Sequence, residues 1–285
     1  MKGKIIGIIA IKGGVGKTTT TLNLGATLAK DFNKKVLVAD ANFSAPNLGL
    51  HVGLVDPETT MHDVLLKRAD IYDAIHKYEE NLHIIPGSLV GKKISPYLLK
   101  EKLRKIKDDY DIILLDSSPA LNEELLSTMI AADKLLVVTS PDYPTLSTTM
   151  RAVKIAKQKR TPIAGLILNK VRKKRFELTL DDIEDASGVP ILAILPDDVK
   201  MLEALSKTKH IAEHAPKRNI AYEYRKLAAC IAGEDYKDTR VKTRLKSLFS
   251  RDIPKEEVNR IHLKEQLKKW RLGRLYSLHL DLLYF

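Results

Sequence analysis

Residues 12–19, Lys-Gly-Gly-Val-Gly-Lys-Thr-Thr, hold the densest phosphate-binding chemistry in the chain. Gly13, Gly14 and Gly16 let the backbone curl so that successive N–H groups, that of Val15 among them, converge on phosphate oxygens. The helix that follows, read over Thr18–Lys30, adds the positive end of its dipole. Lys17 supplies a point charge for β- and γ-phosphates, and Thr18 a hydroxyl for Mg²⁺. Two carboxylates stand where apolar runs end: Asp40 closes Val36-Leu-Val-Ala-Asp40, and Asp116 closes Tyr110-Asp-Ile-Ile-Leu-Leu-Asp116. Mg²⁺ takes few protein oxygens and keeps its waters, so such a pair suits its direct or outer-shell support.

Elements of a definite kind must position these groups. Short apolar runs recur at Ile5–Ile11, Val36–Ala39, Leu82–Ile85, Ile112–Leu115, Leu135–Val138, Ile163–Leu168 and Ile191–Leu195. They are continuous rather than alternating, as in strands buried on both faces of a parallel sheet. Helical patterns at Glu124–Ala131, Thr145–Lys159 and Leu178–Ser187 lie between them. The alternation predicts an α/β fold, a mostly parallel sheet with helices on both faces. Ligands of such sheets bind at the carboxyl ends of the strands, where the phosphate loop and both carboxylates fall. A final helix is read over Asn219–Ala232, and the alternation stops near Gly233. The expected organisation is a nucleotide-binding domain over 1–233 and a basic helical extension over 234–285.

Composition narrows the classes. The chain has 285 residues, a net charge of +12 and one cysteine, Cys230. One cysteine excludes a disulfide framework, and it excludes a zinc or iron–sulfur site ligated by cysteines of this chain alone. It fits a reducing cytoplasm. No apolar run approaches the ~20 residues of a membrane-spanning helix. Met1–Lys12 has the charge and apolar stretch of a short signal peptide, but it lacks a small-residue cleavage site and is read as a buried strand.

The textual pattern G-x-x-x-x-G-K-[ST] fails here, because Ile11 stands where its first glycine would be and Lys12 directly precedes the paired glycines. In this the chain resembles the MinD/ParA family of deviant Walker A P-loop ATPases, its MinD branch in particular. Asn42-Phe-Ser-Ala-Pro-Asn-Leu-Gly-Leu-His-Val-Gly53, Thr60-Met-His-Asp-Val-Leu and Leu82-His-Ile-Ile-Pro-Gly87 extend the likeness over roughly residues 3–232. The resemblance implies a P-loop NTPase fold, ATP/ADP with Mg²⁺ as cofactors, and an ATP-dependent homodimer in which Lys12 acts in trans on the partner's phosphates. It makes Asp116 the Walker B acid, followed by a switch loop at Ser117-Ser118-Pro119, and Asp40 the first acid of switch I. It makes Asn169, after Ile163–Leu168, the reader of the adenine edge, an amide offering both donor and acceptor. Pro196 and Asp197 fall in the loop that closes over the base.

Two departures stand out. Where the family reads Asp-x-Asp, this chain reads Asp40-Ala41-Asn42. A neutral amide orients the attacking water but does not take its proton. Because phosphoryl transfer rests mainly on positioning and charge stabilisation, turnover should be slowed rather than abolished. A second usual acid is replaced by Thr148, in a hydroxyl-rich helix start with Thr145, Ser147 and Thr149. The expectation is an ATPase that binds ATP·Mg firmly and has weak basal activity.

Beyond Gly233, the stretch Lys237–Arg251 holds six basic residues against one Asp, with Val241, Leu245, Leu248 and Phe249 on one helical face. This composition suits an anionic membrane surface. A second segment follows Pro254, with Leu263, Leu267 and Trp270 at helical spacing, and ends in the apolar Leu278–Phe285. Packing on the domain or on a protein regulator, and non-specific DNA binding, stay open beside lipid. The leading expectation is an ATP-operated switch positioning the division site or a cargo, cytoplasmic and peripheral at the inner membrane face. The alternatives are a non-hydrolysing nucleotide-binding scaffold and a DNA-associated partition ATPase. A metallocluster reductase shares the loop but needs paired cysteines. His51 and His62 are expected at the surface or beside the switch segments.

Overall fold

The computed structural model describes residues 3–89, 94–238, 240 and 254–265. Its core is one eight-stranded sheet: β1 (Lys4–Ile9), β2 (Val36–Ala41), β3 (His76–Glu79), β4 (Leu82–Ile85), β5 (Ile112–Ser117), β6 (Lys134–Thr139), β7 (Ile163–Val171) and β8 (Ile191–Pro196). The strand order is β3-β4-β2-β5-β1-β6-β7-β8. The pairings are parallel except β3 with β4.

The seven apolar runs are the seven parallel strands, and their continuity follows from burial on both faces. Ile6 and Ile8 join one core cluster and Ile5 and Ile9 the opposite ones. On the first face lie α1 (Lys17–Phe32) and α10 (Asn219–Ala232), which contribute Leu22, Leu24, Leu28, Tyr224 and Leu227. On the other, α4 (Leu99–Ile106) packs with α3 (Met61–Leu65), while α5 (Glu123–Ala131), α6 (Tyr143–Gln158) and α7 (Leu180–Ser187) cover β6 and β7. Short helices α2 (Leu48–His51), α8 (Val199–Ser206) and α9 (Ile211–His214) flank the carboxyl ends of β2 and β8.

The strand β3 has no counterpart in the sequence reading. His-Lys-Tyr-Glu is partly exposed along its length, so an edge strand of this kind leaves no apolar run.

The chain returns to the sheet beyond Gly233. A helix over 255–265 lies against β8 and α7. Arg260, only 7% exposed, donates Nη1 to the Leu192 carbonyl at 2.7 Å. Asn259 donates to the Ile191 carbonyl at 3.0 Å, Lys255 pairs with Glu184 at 2.9 Å, and Leu263 enters the core. The Arg260 and Asn259 bonds satisfy carbonyls of β8, an edge strand with no further partner strand among the described residues. This piece of the extension therefore packs on the domain, one of the three possibilities left open by its composition. The expected stripe Val241–Phe249, with Leu267, Trp270 and Leu278–Phe285, lies outside the described residues.

Candidate functional site

β1 delivers the chain to the phosphate loop and α1 carries it away. Gly14 and Gly16 have φ of +78° and +87°, the left-handed region that favours glycine. A Cβ on Gly16 would stand 2.3 Å from the side-chain amide nitrogen of Asn169, which would have to shift to make room for it. Asn169 Nδ2 donates to the Val15 carbonyl at 2.8 Å, and Lys170 Nζ to the Gly14 carbonyl at 2.7 Å. The loop is thus braced from β7.

Lys17 and Thr18 turn inward onto Asp116. Lys17 Nζ lies 3.3 Å from Asp116 Oδ1, with both side chains buried. Thr18 Oγ1 donates to Asp116 Oδ2 at 2.6 Å and lies 3.0 Å from Asn47 Oδ1. Asp40 sits beside Asp116 in the β2–β5 register, and both are fully buried. Its Oδ1 accepts from Asn42 N–H at 2.9 Å, and its Oδ2 from Asn47 and Leu48 N–H, each at 3.1 Å. Burial first, and then the neighbouring Asp116, pushes the Asp40 carboxyl up to about 7 against the pull of these amides and of Lys17.

Asn42 borders the cavity beside the loop. Its Nδ2 donates to the Ala45 carbonyl, and its buried Oδ1 has no hydrogen-bond partner among the described residues. His51 borders the same cavity one helical turn beyond Asn47, and its imidazole is held below the ordinary range chiefly by burial. His62 is not at the surface. It is fully buried, with Nε2 on the Phe43 carbonyl and Nδ1 accepting from Ser88 N–H, both at 3.0 Å. That pattern fixes the neutral tautomer.

Lys12 stands on the rim. Its Nζ donates to Thr145 Oγ1 at 2.6 Å and to Asp142 Oδ1 at 3.1 Å, with its side chain 40% exposed. Asp142 also caps α6, accepting from Thr145 N–H at 2.9 Å. Burial works against its charged form, but hydrogen bonds from Ser140, Thr145 and Lys12 hold the carboxyl down at about 2. Thr148 turns its hydroxyl back to the Thr145 carbonyl at 2.8 Å.

The cavity has a volume of about 340 Å³. Lys12 through Thr19, Asn42, Asn169, Pro196 and Asp197 border it, while Asp40 and Asp116 stand behind Lys17 and Thr18. Type and spacing give no role at the cavity to Asn47, His51, Lys170 or the Asp142–Thr145 pair. Only Asp142 left a local signal, an Asp three residues before a hydroxyl at a helix start.

A strand, a glycine loop with a buried Lys–Asp–Thr chain beneath it, and a covering helix on a parallel sheet define a P-loop nucleotide-binding protein. Family models agree: an AAA domain model matches residues 3–163, and a model of 4Fe-4S iron sulfur cluster binding proteins of the NifH/frxC family matches residues 90–253. The lone, buried Cys230 offers at most one thiolate, so the second match speaks of shared architecture. An uncharacterised ATP-binding protein of Methanocaldococcus jannaschii is 34% identical over 80% of this chain and 88% of its own length. The septum site-determining protein MinD of Thermotoga maritima is 31% identical over 81% of this chain and 89% of its own. MinD of Pyrococcus horikoshii, solved with Mg-ADP, superposes with a TM-score of 0.76 at 32% identity, covering 80% of this chain and 96% of that one. The chain belongs to the MinD/ParA family of deviant Walker A P-loop ATPases.

Proposed function

We propose that this chain binds ATP·Mg, dimerises on it, hydrolyses it slowly, and uses that cycle to control attachment to a cellular surface in spatial positioning. The observation that carries this is the buried Lys17–Asp116–Thr18 chain beneath a backbone cradle, with a second lysine, Lys12, tethered on the rim. The oxygens of Thr18 and Asp116 fit a Mg²⁺ ion bound with nucleotide, and Asp40 supports them by ordering residues 42–48. Such an ion neutralises phosphate charge. Lys17 binds the phosphates, and Asn42, with its unpartnered Oδ1, aims the attacking water. Asn169, Pro196 and Asp197 border the part of the cavity assigned to the base.

Lys12 acts in trans on this reading. Its exchange from Asp142 and Thr145 to a partner's phosphates favours the nucleotide-bound dimer by population shift. Lys12→Ala is expected to keep ATP binding and lose ATP-dependent dimerisation, read by light scattering on eluting protein with ATP·Mg. A variant that dimerises like wild type, or a wild type monomeric at saturating ATP·Mg, sinks this function.

Asn42→Asp is expected to raise basal phosphate release about tenfold or more, because a carboxylate accepts the water's proton. It also adds a third carboxylate beside Asp40 and Asp116, so the nucleotide-free variant should melt earlier and recover with ATP·Mg. An unchanged rate refutes this assignment, as does fast unstimulated release by wild type.

The attachment surface we assign to the extension, residues 237–285, apart from the 255–265 piece that packs on the domain, with anionic lipid as its target. Dimerisation pairs two weak attachments into one avid one. Co-sedimentation with anionic vesicles, with and without ATP, tests it beside a DNA shift assay at graded salt. A second reading, a scaffold that binds nucleotide without turnover, draws on the neutral Asn42 and on Thr148 facing its own helix. Zero phosphate release in the presence of a protein regulator would establish it.

A further inference from the structure

One carboxylate ties together the two loops that border the cavity. Phe43 N–H donates to Glu124 Oε2 at 3.0 Å, the Ser44 hydroxyl donates to Glu124 Oε1, and the Phe43 carbonyl is held by His62 Nε2 at 3.0 Å. The peptide that follows Asn42 is therefore gripped on both sides. Glu124 is the second residue of α5, at the end of the segment that leaves Asp116. Pro119 of that segment borders the cavity, as Asn42 does from the other loop.

Local chemistry fixes where Glu124 stands. Asn122 caps α5, its Oδ1 accepting from Leu125 N–H at 3.0 Å, and its Nδ2 donates to Ser118 Oγ at 3.2 Å. An acid in the first helical turn is favoured by the dipole alone. The dipole does not account for two contacts to residues 81 and 80 positions away in sequence. Glu123, beside it in the same turn, is exposed.

We propose that Glu124 is a positioning residue, which locks the loop carrying Asn42 to the segment following Asp116 so that the two respond to nucleotide as one unit. The proposal rests on the ATP turnover assigned above. Asn42 Oδ1 has no hydrogen-bond partner among the described residues, and its amide is anchored through Nδ2 to the Ala45 carbonyl, so its aim is set by the backbone of its own loop. That backbone is tied to Asp40 through Asn42 N–H and to Glu124 through the next residue. A group that orients water without taking its proton depends on position, and small misplacements of such groups are costly in rate.

Glu124→Ala is expected to lower kcat for ATP about tenfold or more while KM shifts less than about twofold. Glu124→Gln should recover most of the rate. Its Oε1 accepts from Phe43 N–H, and the Ser44 hydroxyl turns round to accept from Nε2. Adding Ser44→Ala to Glu124→Ala should slow it little further, since the two act through one contact. Amide exchange on the same proteins, with and without ATP·Mg, should show faster exchange over residues 42–47 in Glu124→Ala and restored protection in Glu124→Gln. Unchanged exchange in β1 and α1 verifies the fold. Unaltered protection of residues 42–47, or equal loss of kcat in Glu124→Ala and Glu124→Gln, overturns the proposal. Wild-type protein that fails to bind ATP overturns the function above instead, and the exchange comparison still decides the clamp.

Discussion

Lys17→Ala is expected to give a folded protein that no longer retains ATP. The ammonium is buried, lies 3.3 Å from Asp116, and borders the cavity in which the phosphates are placed. Truncating one member of a buried charge pair costs about 2–5 kcal/mol in binding, roughly thirtyfold to several thousandfold in affinity. Phosphate release should fall to background. Stability should fall as well. Asp40 and Asp116 lie side by side with no exposed surface, and the loss of Lys17 leaves their charge uncompensated. An unpaired buried charge costs on the order of 3–5 kcal/mol, roughly 10 °C in Tm for a domain of this size. The loss should be large at pH 8 and smaller at pH 5, where Asp40 carries a proton. Calorimetric titration with ATP·Mg and thermal unfolding at the two pH values check both halves. Micromolar ATP retention, or the same loss of Tm at both pH values, contradicts the account.

The site was legible where chemistry is local in sequence. The phosphate loop needs glycines, a lysine and a threonine in one stretch, and Gly16 is favoured there by its φ of +87° and packs close to the Asn169 side chain. Asp40 and Asp116 could be read because a continuous apolar run that ends in an acid puts that acid at the carboxyl edge of a parallel sheet. The fold was legible for the same reason: strands buried on both faces cannot avoid apolar runs.

What escaped depends on residues distant in sequence. Thr145 looked like one hydroxyl among several, yet with Asp142 it holds Lys12, 133 residues away. Asn47 gives no sign in sequence that its amide oxygen meets Thr18. The partly exposed β3 satisfies its ladder without a hydrophobic pattern, and of the two places expected for His62, the surface or beside the switch segments, the structure takes the second, with Phe43 and Ser88 closing around it. The basic character of 255–265 also misleads, since Lys255 and Arg260 meet Glu184 and the carbonyl of Leu192. Charge composition told that segment's affinity for acceptors, and only the tertiary structure says which acceptors it uses.

Asp116→Asn should change how both stability and nucleotide binding depend on pH. In the fold the Asp40 carboxyl is pushed up to about 7 from an ordinary 3.8, by burial and then by Asp116. The folded state thus keeps a proton that the unfolded chain releases. The stabilisation from Asp40 is fullest below about pH 4, falls as pH rises, and is gone above about 7. Nucleotide-free wild-type protein should lose Tm steadily over that range. Binding of magnesium and nucleotide favours the ionised carboxylate, so it should release a proton and tighten between pH 6 and 8. Asp116→Asn removes the second cause of the shift and leaves Lys17 to serve Asp40 alone. The stability slope should become shallower without going flat, because burial remains, and proton release on binding should drop. Turnover should fall about 10²–10³-fold with the loss of the carboxylate on Thr18 and Lys17. Melting curves from pH 4 to 8, and titration calorimetry in two buffers of unlike ionisation enthalpy, measure these quantities. An unaltered slope together with unaltered proton release would show that Asp40 titrates independently of its neighbour, and the carboxylate pair would then lose its claim to act as one charged unit beneath the phosphates.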